Sequence, residues 1–201
     1  MAPITHLTAL VLAGGRGLRM GRPKFDLPLA GERLVDRAVR LVSAHFGDVL
    51  VSRGAGPAIP GLEVRQVPDQ ERSYGPLAGL QAGLRAVQTE GVVTLPIDMP
   101  LIDPAFLRLL ADELGDADAL VTRSRSGLQP LLAAYRRTCL PAIEDTMAQG
   151  VRQVLRFHAH VDKRELVVEQ RDGWRDRDEM FLNLNTPADL KQAARALEAV
   201  R

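Results

Sequence analysis

Short apolar runs alternate along this chain with longer segments in which apolar residues recur every three or four positions. The short runs are typical of buried strands, and the longer spacing is typical of helices with one face against a sheet. Strands that alternate with helices imply right-handed crossovers and a mostly parallel sheet covered on both faces. For a chain of 201 residues, we therefore expect an α/β fold in one domain.

The predicted strands are short and end at polar or glycine-containing loops. They cover Thr8–Leu12, Asp48–Ser52, Leu62–Val67, Val92–Pro96, Ala119–Thr122 and Leu131–Tyr135, the last two flanking a turn at Arg123–Gly127. The predicted helices cover Glu32–Phe46, Pro76 to about Gln88, a segment that begins at Asp103-Pro104, Ala142–Gln149, Val151–Phe157 and a last segment capped by Thr186-Pro187.

The overall composition excludes several classes of protein. With 46% hydrophobic and 25% charged residues, the chain is too apolar for a disordered protein. A net charge of +1 argues against a broad polyanion-binding surface, so no nucleic-acid partner is expected. Cys139 is the only cysteine, which excludes an intramolecular disulfide framework and a cysteine-based metal cluster.

The hydropathy pattern gives no sign of a membrane protein. No uninterrupted apolar stretch approaches the roughly 18 residues that a membrane span needs, so no membrane partner is expected. The segment Leu7–Ala13 has the apolar character of a signal-peptide core, but the first lysine or arginine, Arg16, follows it instead of preceding it. We interpret this segment as a buried strand and expect a cytoplasmic protein by default.

The segment Leu12–Lys24 (LAGGRGLRMGRPK) follows the first predicted strand and is rich in glycine. Glycines let a backbone turn tightly and present N–H groups to an anion. The cations beside those amides are Arg16, Arg19, Arg22 and Lys24. Amides and cations together suit a polyphosphate. A P-loop NTPase and an NAD enzyme are not expected, because Phe25 follows Lys24 and Met20 replaces the last glycine of the dinucleotide fingerprint.

Three polar segments each follow a predicted strand, namely Gly14–Arg19, Asp69 and Asp98. Ligands of open parallel sheets gather at the carboxyl ends of the strands, so these segments are expected to converge at one edge. Asp98 is the candidate magnesium ligand, because Mg²⁺ prefers hard oxygen donors and takes only one or two protein carboxylates beside water and phosphate.

The segment Leu12–Lys24 resembles the L-A-G-G-x-x-x-R-M-G-x-x-K signature of the molybdenum cofactor guanylyltransferases, the MobA family. Further motifs of that family follow in the same order: Gly75-Pro76-Leu77-Ala78-Gly79, Pro96-Ile97-Asp98-Met99-Pro100-Leu101, Gln129-Pro130-Leu131 and Phe181-Leu182-Asn183-Leu184-Asn185-Thr186-Pro187. The resemblance spans essentially the whole chain. It implies the nucleotide-diphospho-sugar transferase fold, a Rossmann-like three-layer α/β/α arrangement, as a single nucleotidyltransferase domain over residues 1–201.

The resemblance also implies an activity. Family members transfer GMP from GTP to molybdopterin and release pyrophosphate, with Mg²⁺ as the metal. The implied partners are therefore GTP and molybdopterin, and a member of this family is expected to meet the proteins that mature molybdoenzymes.

The resemblance assigns roles residue by residue. Lys24 would contact the nucleotide phosphates, Arg19 would stabilise the leaving pyrophosphate, and Asp98 would bind the metal. The candidate nucleotide-binding residues are Leu12, Ala13, Gly14, Gly15, Lys24, Ser52, Asp69, Gly79 and Asp98. Asn183 and Asn185 are the candidate acceptor-binding residues, since asparagine offers donors and acceptors to a pterin edge. An equally open explanation is that this pair orders the turn into the last helix.

Two departures from the family pattern leave alternatives open. Ser52 stands where the family usually has asparagine, and serine is shorter and lacks an amide donor. Pro23 stands where many guanylyltransferases have aspartate, and Pro-Lys is common in cytidylyl- and sugar-nucleotide relatives. A cytidylyl- or sugar-phosphate nucleotidyltransferase of the same fold, or a non-catalytic nucleotide-binding adaptor, are the alternatives. Gly14-Gly15 favours a purine, because cytidylyl relatives typically show L-A-A-G there.

Two smaller features carry weaker predictions. His158-Ala159-His160 could suggest a metal pair, but no carboxylate or cysteine has a matching spacing, so core or solvated histidines are favoured. The mixed-charge segment Arg171–Arg177 around the only tryptophan is interpreted as a solvated loop.

Overall fold

The computed structural model describes residues 2–14, 22–70 and 74–199. The strands are, in chain order, β1 (Leu7–Leu12), β2 (Pro28–Leu29), β3 (Glu32–Arg33), β4 (Val49–Ser52), β5 (Arg65–Val67), β6 (Gly91–Pro96), β7 (Ala119–Ser124), β8 (Gly127–Arg136) and β9 (Lys163–Val167). The α-helices are α1 (Leu34–Ser43), α2 (Pro76–Ala86), α3 (Pro104–Glu113), α4 (Leu140–Ala148) and α5 (Pro187–Ala199).

Seven strands of the described residues form one sheet in the order β5-β4-β1-β6-β8-β7-β9. The pairs β5–β4, β4–β1, β1–β6 and β7–β9 are parallel, whereas β8 runs antiparallel to both of its neighbours. The prediction of a mostly parallel sheet is therefore confirmed.

Helices cover both faces of this sheet. On β1, Ala9 and Val11 pack into the core formed with α1 and α3, while Leu10 and Leu12 pack into the core formed with α2 and α4. This alternation is the period of two that a strand buried on both faces requires. The three-layer α/β/α arrangement is thus confirmed. Within the described ranges, no helix combines the length and apolarity needed to cross a bilayer.

The helix α2 approaches β1 closely because glycine faces the sheet. A Cβ atom added at Gly83 would lie 2.3 Å from Cδ2 of Leu10, a distance at which one of the two groups must move. One helical turn earlier, Gly79 makes the same kind of approach to the ends of β1 and β4. The glycines of α2 therefore fix how near this helix lies to the carboxyl end of the sheet.

The structure corrects the boundary of the first predicted helix. Helix α1 begins at Leu34 instead of Glu32, because Glu32 and Arg33 form the second strand of a small hairpin with β2. The hairpin turn consists of Ala30 and Gly31, both with positive φ, as a two-residue hairpin turn requires.

Two further elements were not predicted correctly. Strand β9 was missed, because at the edge of the sheet it carries Lys163, Arg164 and Glu165 in place of an apolar run. The predicted helix at Val151–Phe157 is a 3₁₀ segment over Val154–His160.

The carboxyl ends of β1, β4, β5 and β6 lie side by side at one edge of the sheet, which we call the carboxyl rim. Main-chain hydrogen bonds continue past the strands there. Ala13 N donates to Ser52 O at 2.8 Å, Arg53 N donates to Val67 O at 3.1 Å, and Ile97 N donates to Leu12 O at 3.3 Å. The loops that carry the candidate site residues therefore start from neighbouring positions.

Candidate active site

Lys24 and Asp98 form an ion pair at the carboxyl rim. Lys24 Nζ lies 2.8 Å from Asp98 Oδ2, although 74 residues separate the two in the chain. Their side chains are 16% and 25% exposed, so solvent reaches the pair from one side. The sequence predicted that both residues face the same ligand, but it did not predict direct contact between them.

Two different segments hold this pair in place. Asp98 follows β6 in a turn in which Met99 N donates to Pro96 O at 3.2 Å. Its own main-chain oxygen accepts a 2.8 Å hydrogen bond from Leu184 N. Leu184 is fully buried and packs with Leu27, Leu29, Leu34 and Ala193. The C-terminal segment and the segment after Lys24 therefore share a small core beside Asp98.

A second polar pair lies on the other side of β1. Ser52 Oγ donates to Asp69 Oδ1 at 2.7 Å, and Ser52 is only 1% exposed. Burial raises the pKa of the Asp69 carboxyl above its usual value, while hydrogen bonds from the Ser52 hydroxyl and the Gly54 backbone and the charge of Arg53 oppose that rise.

The two pairs flank the start of the glycine-rich segment. Leu12 is aligned with Ser52 on β4 and with Pro96 on β6. With neighbouring strands about 4.8 Å apart, Ser52 and Pro96 are separated by roughly 10 Å. Ala13 and Gly14 leave the sheet between them, so the predicted convergence of the three polar segments is observed for the residues that the structure describes.

Glycines make the surface between the pairs possible. A Cβ atom at Gly14 would lie 3.3 Å from Gly54 Cα and 3.8 Å from Asp69 Oδ2. A Cβ atom at Gly79 would lie 2.7 Å from Ser52 Oγ. Sequence reasoning missed Gly54, which has φ of 70° and approaches Gly14 closely. Its only sequence signal is its position two residues beyond the end of β4.

The predicted acceptor residues lie in the extended segment that passes Asp98. Asn183 is half-buried, and within the described ranges its side-chain amide makes one long contact, 3.5 Å to Phe181 O. Asn185 is exposed and its main-chain N–H donates to Asp189 Oδ2 at 2.8 Å. The cap of α5 uses the side chains of Thr186 and Asp189, not those of the asparagines.

A cavity of about 400 Å³ lies further along the carboxyl rim. Its walls come from the β7–β8 turn, at Ser124 and Ser126, and from Phe181 and Leu182 of the segment that leads to Asn183. Since β7 is oriented like β6, the end of β7 belongs to the same edge of the sheet as Asp98. The rim therefore offers space on the side of Asp98 away from Asp69.

Two predicted site residues, Gly15 and Arg19, lie outside the described residues. Two smaller predictions can be compared with the structure. His158 is a core residue whose Nε2 lies 3.0 Å from the Tyr135 hydroxyl, as favoured from the sequence. The interpretation of Arg171–Arg177 as a solvated loop holds for residues 172, 173 and 175–177, which are exposed, but Trp174 packs edge-on against Phe106 with ring centroids 5.1 Å apart.

The donor set at Asp98 suits one type of divalent cation. The described residues contain no group of three or more His, Cys, Asp or Glu side chains placed to hold a metal ion. A single carboxylate beside a phosphate site is nevertheless enough for Mg²⁺, which keeps most of its ligands as water and phosphate oxygen. The residues present therefore fit a metal that arrives with a nucleotide.

Comparisons with known proteins find similar sequences and a similar structure. A family model described as a MobA-like NTP transferase domain matches residues 9–163. A probable molybdenum cofactor guanylyltransferase from Chloroflexus aggregans is 37% identical over 194 residues, which cover 92% of each chain. Molybdopterin-guanine dinucleotide biosynthesis protein A from Archaeoglobus fulgidus superposes with a TM-score of 0.82 at 26% identity, over 96% of this chain and 100% of that chain.

A more distant structure shares the fold alone. The 2-C-methyl-D-erythritol 4-phosphate cytidylyltransferase from Thermus thermophilus superposes with a TM-score of 0.69 at 13% identity, over 94% of this chain and 98% of that chain. The expected nucleotide-diphospho-sugar transferase fold is thereby confirmed, and the cytidylyltransferase is less similar to this chain than the A. fulgidus protein.

Proposed function

The chain belongs to the MobA-like NTP transferase family, and on that premise we propose that it transfers GMP from GTP to molybdopterin and releases pyrophosphate. The observation that carries the proposal is the ion pair between Lys24 and Asp98 beside Gly14 at the carboxyl rim. It brings together a cation suited to phosphate and a carboxylate suited to a divalent ion. A nucleotide-binding adaptor would not require that carboxylate.

The reaction needs positioning and charge stabilisation more than a protein nucleophile. An oxygen of the acceptor phosphate attacks the α-phosphorus of GTP and forms a new P–O bond. The bond between the α-phosphorus and its bridging oxygen breaks, and its electron pair leaves with pyrophosphate. Lys24 would bind the phosphates, and Arg19 would stabilise the departing pyrophosphate. Such preorganised charge is commonly the largest contribution to catalysis of this kind.

Asp98 would hold the divalent cation, which we propose to be Mg²⁺. The bound ion would supply charge neutralisation on the triphosphate. The Lys24 ammonium already lies against Asp98 Oδ2, so nucleotide and metal together would redistribute the contacts of this pair. Lys24 would then face the phosphates, while the Asp98 carboxylate keeps a cationic partner.

The nucleotide would occupy the surface between the two polar pairs. Leu12, Ala13, Gly14 and Gly15 would frame the base and the α-phosphate. Asp69 is suited to the base, because a carboxylate can accept hydrogen bonds from two adjacent donors and the guanine edge presents N1–H beside the 2-amino group. Gly79 and Ser52 are buried behind this surface, so Gly79 would act by allowing the close approach of α2.

The acceptor would lie on the Asn183 side of Asp98. Asn183 and Asn185 would contact its pterin, since their side-chain amides are not used by the cap of α5. The cavity beyond Phe181 and Leu182 provides room in this direction.

Three broader expectations remain predictions of this proposal. The chain would act as a single nucleotidyltransferase domain over residues 1–201. It would act in the cytoplasm, and it would deliver its product to proteins that mature molybdoenzymes.

The direct test is an incorporation assay with purified protein. GTP and CTP, each labelled at the α-phosphate, are incubated with Mg²⁺ and molybdopterin, and the labelled dinucleotide is separated from the unreacted labelled triphosphate. We expect label to enter the pterin product from GTP alone. Incorporation from CTP alone would replace the guanylyl proposal with its cytidylyl alternative, and binding of GTP without transfer to any acceptor would favour an adaptor.

A further inference from the structure

We infer that Ser52 is a positioning residue that holds the Asp69 carboxylate as a hydrogen-bond acceptor and thereby makes the nucleotide site prefer guanine to cytosine. The inference rests on the proposed function, since it assumes that the base lies against Asp69. It changes the role expected for Ser52, because the serine acts through Asp69 and not by touching the nucleotide.

Among the residues that the structure describes, the Ser52 hydroxyl has one hydrogen-bond partner. Ser52 ends β4, is 1% exposed, and donates to Asp69 Oδ1 at 2.7 Å. Helix α2 closes over it so tightly that a Cβ atom at Gly79 would lie 2.7 Å from Ser52 Oγ. A nucleotide therefore has no direct access to this hydroxyl.

Hydrogen bonds to Ser52 and Gly54 fix the orientation of the Asp69 carboxylate. Asp69 N donates to Gly54 O at 3.0 Å, which ties the residue after β5 to the loop after β4. With Oδ1 bonded to Ser52, the other oxygen, Oδ2, lies toward Gly14, 3.8 Å from where a Cβ of that glycine would be. The absent side chain leaves Oδ2 facing the segment that would frame the base.

The protonation state of this carboxyl decides which base it matches. An ionised carboxylate only accepts hydrogen bonds, and guanine presents two adjacent donors, N1–H and the 2-amino group. A protonated carboxyl donates through one oxygen and accepts through the other, which matches N3 and the 4-amino group of cytosine. Keeping Asp69 ionised therefore favours guanine and disfavours cytosine.

Ser52 contributes to keeping Asp69 ionised. Burial raises the pKa of Asp69, and the Ser52 hydroxyl is the strongest of the opposing groups, ahead of the Gly54 N–H and the charge of Arg53. Among the described residues, Arg53 is the charged group that lowers the pKa of Asp69. Removing the hydroxyl would free Oδ1 and raise the pKa further.

The chain offers a matched control at the opposite edge of the same sheet. Thr8 is a fully buried strand residue whose hydroxyl also donates to a carboxylate, Asp48 Oδ2, at 2.8 Å. Thr8 lies near the start of β1, whereas Ser52 ends β4. Thr8→Val therefore removes a hydrogen bond of the same kind away from the nucleotide, together with a 2.8 Å contact to the Thr89 hydroxyl.

The experiment measures Kd for GTP and CTP by calorimetry at pH 8 and pH 5.5 in wild type, Ser52→Ala and Thr8→Val. A hydrogen bond to a charged group contributes more free energy than one between neutral groups. Its loss in Ser52→Ala should therefore weaken GTP binding by about tenfold at pH 8. The ratio of GTP to CTP affinity should fall, and more at pH 5.5. Thr8→Val should keep the wild-type ratio. An unchanged ratio in Ser52→Ala, or an equal fall in Thr8→Val, would overturn the inference.

Two further measurements keep the result decisive. Carbon-13 NMR titration of the Asp69 carboxyl, assigned with Asp69→Asn, should show a higher pKa in Ser52→Ala than in wild type; an unchanged pKa contradicts the inference. If wild type binds no GTP, the proposed function fails, but this titration still tests the control of Asp69 by Ser52. Asp69→Asn, which replaces an acceptor by a donor, should shift preference toward CTP even if Ser52→Ala does not fold.

Discussion

The ammonium of Lys24 and the carboxylate of Asp98 lie 2.8 Å apart at the carboxyl rim, one from the segment that follows the glycine-rich loop and the other from the turn after β6. The pair is partly exposed and carries no net charge. A triphosphate adds negative charge beside it, so the electrostatically favourable response is for Lys24 to turn toward phosphate and for a divalent cation to approach Asp98. Substitution of either residue is therefore expected to affect turnover.

Neutralising either member of this pair should abolish most turnover. Removal of one preorganised charge from a site of this kind typically costs about 10²–10³ in kcat. We expect Lys24→Met and Asp98→Asn each to lower kcat by about that factor. The melting temperature should also fall, because the two side chains are only 16% and 25% exposed and removal of one partner leaves the other charge unpaired. Steady-state kinetics with GTP and molybdopterin, together with thermal melts, measure both effects.

The control for this prediction is the ion pair of Glu90 and Arg136, whose atoms lie 2.6 Å apart at the edge of the sheet opposite the carboxyl rim. Glu90→Gln also removes a paired carboxylate but does so before the start of β6, whereas Asp98 follows the end of that strand, so its kcat should equal that of wild type. Full turnover in Asp98→Asn would show that Asp98 is not the metal ligand of the reaction.

The positions of the polar residues at the rim could be predicted because each residue follows the end of a predicted parallel strand. A residue that directly follows a buried parallel strand must emerge at the carboxyl edge, whatever its side chain does next. Asp98, two residues beyond β6, and Asp69, two residues beyond β5, obey this rule. Strand β9 could not be found in the same way, because an edge strand does not require a continuous apolar run.

The contacts between those residues could not be predicted. Ser52 was a candidate nucleotide-binding residue, but its hydroxyl donates to Asp69 and lies beneath α2, close to Gly79. Periodicity shows which face of α2 is apolar, but it does not show how near the helix comes to β4. That distance depends on Gly79, whose missing side chain has no hydropathy signal.

Gly79→Ala and Gly83→Ala should both lower the stability of the protein, but only Gly79→Ala should also weaken GTP binding. The added Cβ would lie 2.7 Å from Ser52 Oγ in Gly79→Ala and 2.3 Å from Leu10 Cδ2 in Gly83→Ala. Overpacking of this kind costs about 1–3 kcal/mol, so both variants should unfold at lower urea concentration. Only Gly79→Ala should also weaken GTP binding, because only it displaces the support of Asp69. Equal GTP affinities in the two variants would contradict this distinction.

The two asparagines before α5 should affect the acceptor and not the nucleotide. Asn183→Ala and Asn185→Ala remove side-chain amides that the cap of α5 does not use, so each should destabilise the protein less than the loss of that cap, which typically costs about 1 kcal/mol. We expect KM for molybdopterin to rise severalfold and the Kd for GTP to stay at its wild-type value. Thr186→Ala is the control, since it disturbs the cap and should lower stability by about 1 kcal/mol without changing KM. If the asparagine variants lose stability instead, their role is to order the turn.

The buried His158 should make the protein less stable as the pH falls below neutral. Its pKa is lowered from 6.5 to about 4 by burial first and by the charge of Lys163 second, with Glu165 opposing. Between those two pH values the unfolded chain takes up a proton that the folded protein does not. The free energy of unfolding should therefore fall with decreasing pH by about 1.4 kcal/mol for each pH unit in that window.

Two variants, His158→Phe and His160→Phe, separate the contribution of His158 to the pH dependence of stability from that of the carboxylates, which also titrate in acid. His158→Phe keeps a ring against Phe157 and Tyr135 but removes the titrating group, and the Tyr135 hydroxyl keeps its 2.8 Å hydrogen bond to Pro130 O. Urea unfolding between pH 7.5 and pH 4.5 should show a shallower pH dependence for this variant than for wild type. His160→Phe, two residues away and exposed, should retain the wild-type slope. A wild-type slope in His158→Phe would contradict the prediction, because it would mean that folding does not lower the pKa of His158.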